Sequence, residues 1–237
     1  GHDVTIYEKT GNLGGQLFHS DYPEFKWPLR NYKDYLIRQV EKAGIRVLLN
    51  TNATPELIES ENYDAVFAAT GAVPKKPDIP GVDGNNVHSH LYVYGNEEKL
   101  GKNVVVVGGS ESAVETALYL AECGHEVTVL SRRARLASDA TLIHFYFSFI
   151  DRCNHNEHFH GITEAVTTAI GENSVTYTDK DGVSHTVECD DVIACGGMQP
   201  LTDEALAFFG SAPVFKNIGD SSAPGGNLQR GNRQAYS

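Results

Sequence analysis

Three things are scarce in this chain. It has four cysteines in 237 residues, and no two of them stand in a C-x-x-C spacing. That argues against a disulfide framework and against thiol–disulfide redox chemistry, and it fits reduced cytoplasmic thiols. No run of about 18 apolar residues occurs, so no segment is expected to cross a bilayer as a helix. Positive charge is short: 19 Lys and Arg stand against 31 Asp and Glu, for a net charge of −12 and a pI near 5.2. Nucleic acid and anionic membrane surfaces are gripped by clustered Lys and Arg, so neither is expected as a partner. No secretory leader is legible, and a cytoplasmic setting is the expectation. Hydrophobic residues at 41% and charged residues at 21% are ordinary for a globular chain long enough for one large or two modest domains.

What is present is a phrase written twice. The chain opens "GHDVTIYEK" and returns to "GHEVTVLSR" at Gly124–Arg132, aligned without a gap. The second copy has a lead-in. "NVVVV" (Asn103 to Val107) is a β-branched run suited to a buried parallel strand. "GGSESA" (Gly108 to Ala113) follows, and then "VETALYLAECG", whose apolar Val114, Ala117, Leu118 and Ala121 fall at helical spacing before the stop at Gly124. Strand, glycine turn, helix and strand make the dinucleotide-binding unit.

The residue types suit that chemistry. Glycines let the backbone approach a pyrophosphate, and the helix N-terminus offers N–H groups and a partial positive charge. In the pattern G-x-G-x-x-G, Gly108 takes the first position and Ala113 a tolerated third. Ser110 at the second is a departure that weakens the motif, with Gly109 beside it in partial compensation; Glu111 and Ser112 complete the turn. The two copies also end differently. Glu8, with Lys9 beside it, is the acid expected to accept hydrogen bonds from an adenosine ribose. Ser131, Arg132 and Arg133, with Arg135 nearby, replace that acid with groups that hold a 2′-phosphate. The second site is therefore expected to favour NADP(H) over NAD(H), the bland alternative being a solvated basic turn.

The first strand, glycine turn and helix that should precede the first copy are not in the chain. The expectation is a chain cut from a longer protein within its first nucleotide-binding unit, against the alternative that "HDVTIY" is an ordinary first strand. "NRQAYS" at the other end reads as a helix cut after about one turn.

Five segments, in order and spanning nearly the whole chain, carry a resemblance: "YEKTGNLGGQL" (Tyr7 to Leu17), "AATGAVPKKPDIPG" (Ala68 to Gly81), "VVVVGGSESAVETA" (Val104 to Ala117), "DDVIACGGMQP" (Asp190 to Pro200) and "IGD" (Ile218 to Asp220). The set resembles the flavoprotein reductases with two dinucleotide-binding domains. The "LGGQL" segment with its following helical insert, and the ending "IGDSSAPGGNLQRGNRQAY", are most similar to the C-terminal part of the NADH:flavin oxidoreductases related to 2,4-dienoyl-CoA reductase, enoate reductase and trimethylamine dehydrogenase. The resemblance implies an α/β fold of two Rossmann-like domains, the first incomplete and the second inserted into it. Residues 1–95 and 214–237 would form the partial FAD-type domain and residues 96–213 the NAD(P)-type domain, with Gly/Pro-rich hinges near Gly71–Pro74 and Gly196–Pro200.

The same resemblance implies the site. Glu8 would hold the FAD ribose, and Gly14, Gly15 and Gln16 would lie along its pyrophosphate and ribityl chain. Thr70 and Gly71 would form the crossover beneath the cofactor, and Gly219 and Asp220 would meet the ribityl or pyrophosphate region. Gly108 to Ala113 would hold the NADPH pyrophosphate, and Gly196 and Gly197 would pass near the nicotinamide. An N-terminal TIM barrel of the same polypeptide, carrying FMN and a 4Fe-4S cluster, would be the partner and would hold the acid for the last step, reduction of an activated C=C bond. The isolated fragment is expected to be inactive. Two alternatives stand beside this reading: a stand-alone reductase of the ferredoxin-reductase type, and a non-catalytic scaffold that binds an adenine nucleotide.

The remaining segments are read locally. "PLRNYKDYLIRQVEKAG" (Pro28 to Gly44) is a surface helix, "IRVLLN" and "DAVFAAT" are strands, and "NSVTYTDKDGVSHTVECDDVIAC" is a hairpin with a D-G turn leading into a buried strand. "CNHNEHFHG" (Cys153 to Gly161) holds one Cys and three His but matches no metal module, and reads as a polar surface segment on which His158 and His160 share a strand face. Cys195 ends a buried strand and reads as core rather than as a nucleophile. Trp27 and "HFYFSF" (His144 to Phe149) either line a ligand groove or cover surface that other parts of a longer protein bury.

Overall fold

The "NVVVV" run forms a strand that is buried from its second residue onward. Such a strand needs cover on both faces, which is the condition of a parallel sheet with helices and a second layer about it. The computed structural model describes residues 1–140, 143–222 and 233–234. Of the segment read as a C-terminal helix, only Arg233 and Gln234 fall within them; the rest lies outside the described residues.

In chain order, the first pass gives β1 (Thr5–Tyr7), α1 (Leu17–Ser20), α2 (Trp27–Lys42), β2 (Arg46–Leu48), α3 (Pro55–Glu61), β3 (Ala65–Ala68) and β4 (Ala72–Pro74). The next stretch gives β5 (Val87–Ser89), α4 (His90–Val93), β6 (Asn103–Val107), α5 (Glu111–Glu122), β7 (Glu126–Leu130), α6 (Ile143–His155), β8 (Phe159–Ile162), β9 (Val166–Ile170), β10 (Ser174–Thr178), β11 (Ser184–Glu188) and β12 (Asp191–Ala194). The chain ends with β13 (Met198–Pro200), α7 (Thr202–Leu206) and β14 (Val214–Asn217).

These elements pack as two units: Gly1–Val73 with Met198–Ser237, and Pro74–Gly197. The divisions fall inside the Gly/Pro-rich hinges. They lie ahead of boundaries at 95/96 and 213/214: β5 hydrogen-bonds to β12, in register Val87 with Val192, and so belongs with the second unit, while β13 pairs with β4 and so belongs with the first.

The second unit is a five-stranded sheet in the order β5-β12-β6-β7-β8, in which every neighbouring pair is parallel. An antiparallel sheet, β11-β10-β9, packs against it. Val105, Val107, Leu130 and Val192 of the first share a buried cluster with Ile170, Val175 and Tyr177 of the second. α5 buries Val114, Ala117, Leu118 and Ala121, the positions of its apolar stripe. The D-G hairpin forms as read. Gly182 adopts φ +80°, where glycine pays no steric penalty, and the Asp179 carboxylate accepts from the N–H groups of Asp181 and Val183.

The first unit contains two separate parallel pairs, β1-β2 and β14-β3, and a third pair, β13-β4. α2 opens with Pro28 in its first turn and spans 16 residues. α3 is capped by Thr54, whose hydroxyl accepts from the Leu57 N–H at 3.2 Å, and it ends on Asn62 in the left-handed conformation.

Candidate dinucleotide site

The site in the second unit begins where β6 stops. Gly108 has φ +136° and its N–H donates to the Leu130 carbonyl at 3.0 Å, which ties the turn to the end of β7. A side chain there has no room: a Cβ would stand 2.9 Å from both the Cβ and the carbonyl oxygen of Cys195. Gly109 has an ordinary backbone but no space either, because a Cβ would come within 2.0 Å of the Ser131 Oγ. Ser110 then takes the N-cap of α5 with extended backbone, its hydroxyl accepting from the Ala113 N–H at 3.4 Å. The serine that departs from the glycine pattern is thus the capping residue, a role that Ser fills better than Gly.

Ser131, fully buried, closes β7, and its Oγ accepts from the Arg133 N–H at 3.2 Å. Arg132 and Arg133 are exposed beside the turn. The loop after them folds back over it: the Ala137 N–H donates to the Gly109 carbonyl at 2.9 Å, and Asp139 accepts from the Glu111 N–H at 3.0 Å and from Arg133 Nη1 at 3.1 Å. Asp139 and Ala137 were not among the sequence candidates. The packing of Gly108 on Cys195 also brings the Gly196–Gly197 segment to this end of the sheet, where Gly196 lies against the Lys75 carbonyl and the Gly197 carbonyl accepts from the Lys75 N–H at 2.9 Å. Gly108, Gly109, Ser110, Glu111, Ser112, Ala113, Ser131, Arg132, Arg133, Gly196 and Gly197 therefore stand at the C-terminal ends of β6, β7 and β12, the three central strands of one parallel sheet. The crowded glycines, capped helix and paired arginines fit the phosphates and ribose of a nicotinamide dinucleotide.

In the first unit the candidates form smaller groups. Glu8 follows β1, and its Oε1 accepts from both the N–H and the hydroxyl of Thr10 at 2.7 Å; Lys9 is exposed beside it. Gly14 and Gly15 have φ +126° and +52°, and Gln16 Nε2 donates to the Ala72 carbonyl at 2.6 Å, tying the "LGGQ" turn to the crossover. In that crossover the Thr70 hydroxyl donates to the Leu201 carbonyl at 3.0 Å and the Gly71 carbonyl accepts from the Leu201 N–H at 2.9 Å. Gly219 and Asp220 lie in a turn of 3-10 helix after β14. Added methyls at Gly15, Gly71 and Gly219 would meet nothing within 4 Å, so open space borders all three. These are the residues that the resemblance sets along the ribose and ribityl portions of FAD. Gly14 and Gly15 lead into α1, which has only four residues, with Gln16 at its N-cap and no side-chain cap, so among the described residues the first unit has no counterpart of the strand, glycine turn and long helix of the second.

The remaining constellations are local. His155 stands on α6 over Asp151, while His158 and His160 both face Glu126, at 2.8 and 3.6 Å, which holds that carboxyl below its usual range chiefly through the His158 hydrogen bond. Among the described residues no three His, Cys, Asp or Glu come together as a metal-holding group. Phe149 of the aromatic run is buried, whereas Trp27 and Phe147 are exposed, 56% and 65%.

Burial pushes the thiols of Cys195 and Cys153 up to about 12 and that of Cys189 to about 11; partial burial raises the Cys123 thiol too, but Cys123 alone is exposed. Thiolates are the reactive form. In the native chain a disulfide reagent at pH 8 is therefore expected to modify one thiol, Cys123, in a first phase. Peptide mapping checks this, and early labelling of Cys195 would contradict it.

Parallel sheet, crossover helix and tight glycine turn place the chain in the class of FAD/NAD(P)-binding α/β proteins. Its sequence matches the family described as pyridine nucleotide-disulphide oxidoreductase over residues 2–211, and the chain belongs to that family. It is 28% identical to a bilirubin reductase of Mediterraneibacter gnavus (strain CC55_001C), across 100% of this chain and 36% of that protein. It is 30% identical to an NADH oxidase of Thermoanaerobacter brockii, across 86% of this chain and 32% of that protein. A solved 2-naphthoyl-CoA reductase superposes on the whole chain with a TM-score of 0.92 at 30% identity, using 36% of its own length. The chain thus spans about a third of the length of these relatives.

Proposed function

We propose that this chain is the nucleotide-handling part of a longer flavin-dependent reductase. Its second unit takes up NADPH and its first unit carries residues that lie along FAD. The observation that carries this reading is the Gly108–Gly109–Ser110 turn, closed to side chains and capped into α5, with two arginines where an acid would select NADH.

Bound NADPH and FAD would supply hydride chemistry, and an iron–sulfur cluster and FMN in a barrel of the same polypeptide would supply the onward electron carriers. The residues of this chain bind and orient. Glu8 and the Gly14–Gln16 turn hold the flavin nucleotide, and Thr70, Gly71, Gly219 and Asp220 border its ribityl chain. Gly197, where an added methyl would meet nothing within 4 Å, would leave space beside the nicotinamide, and Gly196, packed against the Lys75 carbonyl, would hold that segment in place. Among the described residues none is assigned as the acid for the final step. The substrate class is an activated C=C bond, a reading supported by the partial-length likeness to reductases named for bilirubin and 2-naphthoyl-CoA.

Calorimetric titration of the chain with NADPH and with NADH tests the first part. NADPH is expected to bind more tightly, and Arg133→Ala is expected to weaken NADPH about tenfold while leaving NADH nearly unchanged, since a charge-assisted contact to the 2′-phosphate is lost. Equal affinities for the two nucleotides, or an equal loss for both, would remove the arginines from the reading.

A further inference from the structure

Asp139 occupies the place that the dinucleotide reading gives to a phosphate. Its Oδ1 accepts from the Glu111 N–H at the first residue of α5, and the same oxygen accepts from Arg133 Nη1. An anion at a helix N-terminus and an anion beside an arginine are here one carboxylate. The loop that carries it is docked on the glycine turn itself, through the Ala137 N–H to the Gly109 carbonyl, with Arg133 Nη1 also donating to Ser138 Oγ at 3.2 Å.

Two features mark the docked loop as displaceable. Ala137, fully buried, has φ +48°, a left-handed conformation that a residue with a Cβ adopts only under constraint from its surroundings. The Asp139–Arg133 pair is also open to water, with side chains 43% and 44% exposed, so solvent screens it and little is lost when it parts.

We propose that Asp139 is an internal occupant of the anion position. On this view the loop from Ser131 to Ala140 is a strap that must lift its carboxylate from α5 before a nucleotide pyrophosphate can take the Glu111 N–H. Lifting it also frees Arg133 for the ligand, so one ion pair is exchanged for another. The proposal rests on the dinucleotide reading of this site. The docked strap lowers the apparent affinity by the fraction of molecules in which it is open.

The test is calorimetric titration of the full 237-residue chain and its Asp139→Ala and Asp139→Asn variants with NADPH and NADH. Asp139→Ala is expected to bind both nucleotides about tenfold more tightly, and Asp139→Asn, which keeps an acceptor but no charge, to fall between. Backbone hydrogen exchange at Ala137 is expected to speed up when NADPH is added to the unaltered chain. If Asp139 only caps the helix, the alanine variant will bind equally or more weakly, and the strap is overturned while the dinucleotide reading stands. Should the alanine variant fail to fold, unchanged affinity in Asp139→Asn overturns it equally. If neither nucleotide binds to any of the three proteins, the dinucleotide reading has failed and the strap falls with it.

Discussion

Asp21→Ala is expected to destabilise the first unit by about 3–5 kcal/mol, because it strands a buried ammonium. Asp21 is 3% exposed and Lys33 8%, and Lys33 Nζ lies 2.5 Å from Asp21 Oδ2. The ammonium also sits 4.1 Å from the centre of the Phe18 ring, so carboxylate and aromatic face share one cation between them. The neighbouring Asp34 carboxylate, at 3.8 Å and half-exposed, offers a weaker substitute partner, which puts the expected loss toward the lower end of the range.

The pair also bears on the "LGGQ" turn. A Cβ at Gly14 would stand 2.9 Å from Phe18 and 3.2 Å from the Lys33 stem, so both groups press on that glycine. Arg30 adds to the same staple by donating to the carbonyls of Asp21 and Tyr22. The lone tryptophan, Trp27, starts α2 in this unit, so urea unfolding followed by its fluorescence reports on the region directly. Asp21→Ala combined with Lys33→Met is expected to recover most of the loss, since an apolar pair needs no counter-ion. A shift below about 1 kcal/mol for the single variant would show that water reaches Lys33 and that the pair is an ordinary surface contact.

This pair shows the limit of reading the sequence. Asp21 and Lys33 belong to different elements, and nothing in the spacing says that a turn brings them together or that water is excluded. The second unit was more legible because its signals are local. "NVVVV" is apolar from its second residue onward, as a strand covered on both faces must be. Gly124 stops α5 with φ +94°, and Asp181–Gly182 makes a hairpin within a few residues. Ser110 was read as a weakened glycine motif. Its residue type carried the answer, since Ser before Glu111 is an N-cap signal.

Asp139 and Ala137 had no such signal. A loop that folds back on a helix N-terminus is a tertiary event, and an alanine at positive φ looks like any other alanine. The place of β5 beside β12 is illegible in the sequence for a similar reason. β5 joins the sheet through β12, a hundred residues later in the chain, and pairing at that distance leaves no periodicity to find. In the first unit β1, β2 and β3 are readable one by one from "HDVTIY", "IRVLLN" and "DAVFAAT", whereas β4 and β13 fall in segments read as hinges and β14 carries no strand reading. That β1-β2 and β14-β3 stay separate pairs could not be read from any of them.

Gly109→Ala is expected to weaken NADPH binding by at least about a hundredfold, the scale on which a displacement of about 1 Å acts in a positioned site. The backbone at Gly109 is not left-handed, so the objection to a methyl is space alone. The new Cβ would meet the Ser131 Oγ at 2.0 Å and the Ser131 Cβ at 2.5 Å. A hydroxyl can rotate away, but a Cβ cannot. The Ser131 backbone is held as well, its N–H donating to the Ile162 carbonyl and its carbonyl accepting from the Ala165 N–H, each at 2.9 Å. The turn must therefore move, and it carries the Ser110 cap and the Gly109–Ala137 bond with it.

The cost in stability is that of overpacking, about 1–3 kcal/mol. It should leave the unfolding followed at Trp27 unchanged, because that residue belongs to the other unit. Ser131→Gly removes both clashing atoms, so Gly109→Ala combined with Ser131→Gly is expected to regain most of the affinity, and the double-mutant cycle should show strong coupling between the two positions. Full NADPH affinity in Gly109→Ala would mean that the ligand does not use this turn. A loss that Ser131→Gly fails to repair would mean that the glycine is needed for close approach of the ligand itself rather than for room beside Ser131.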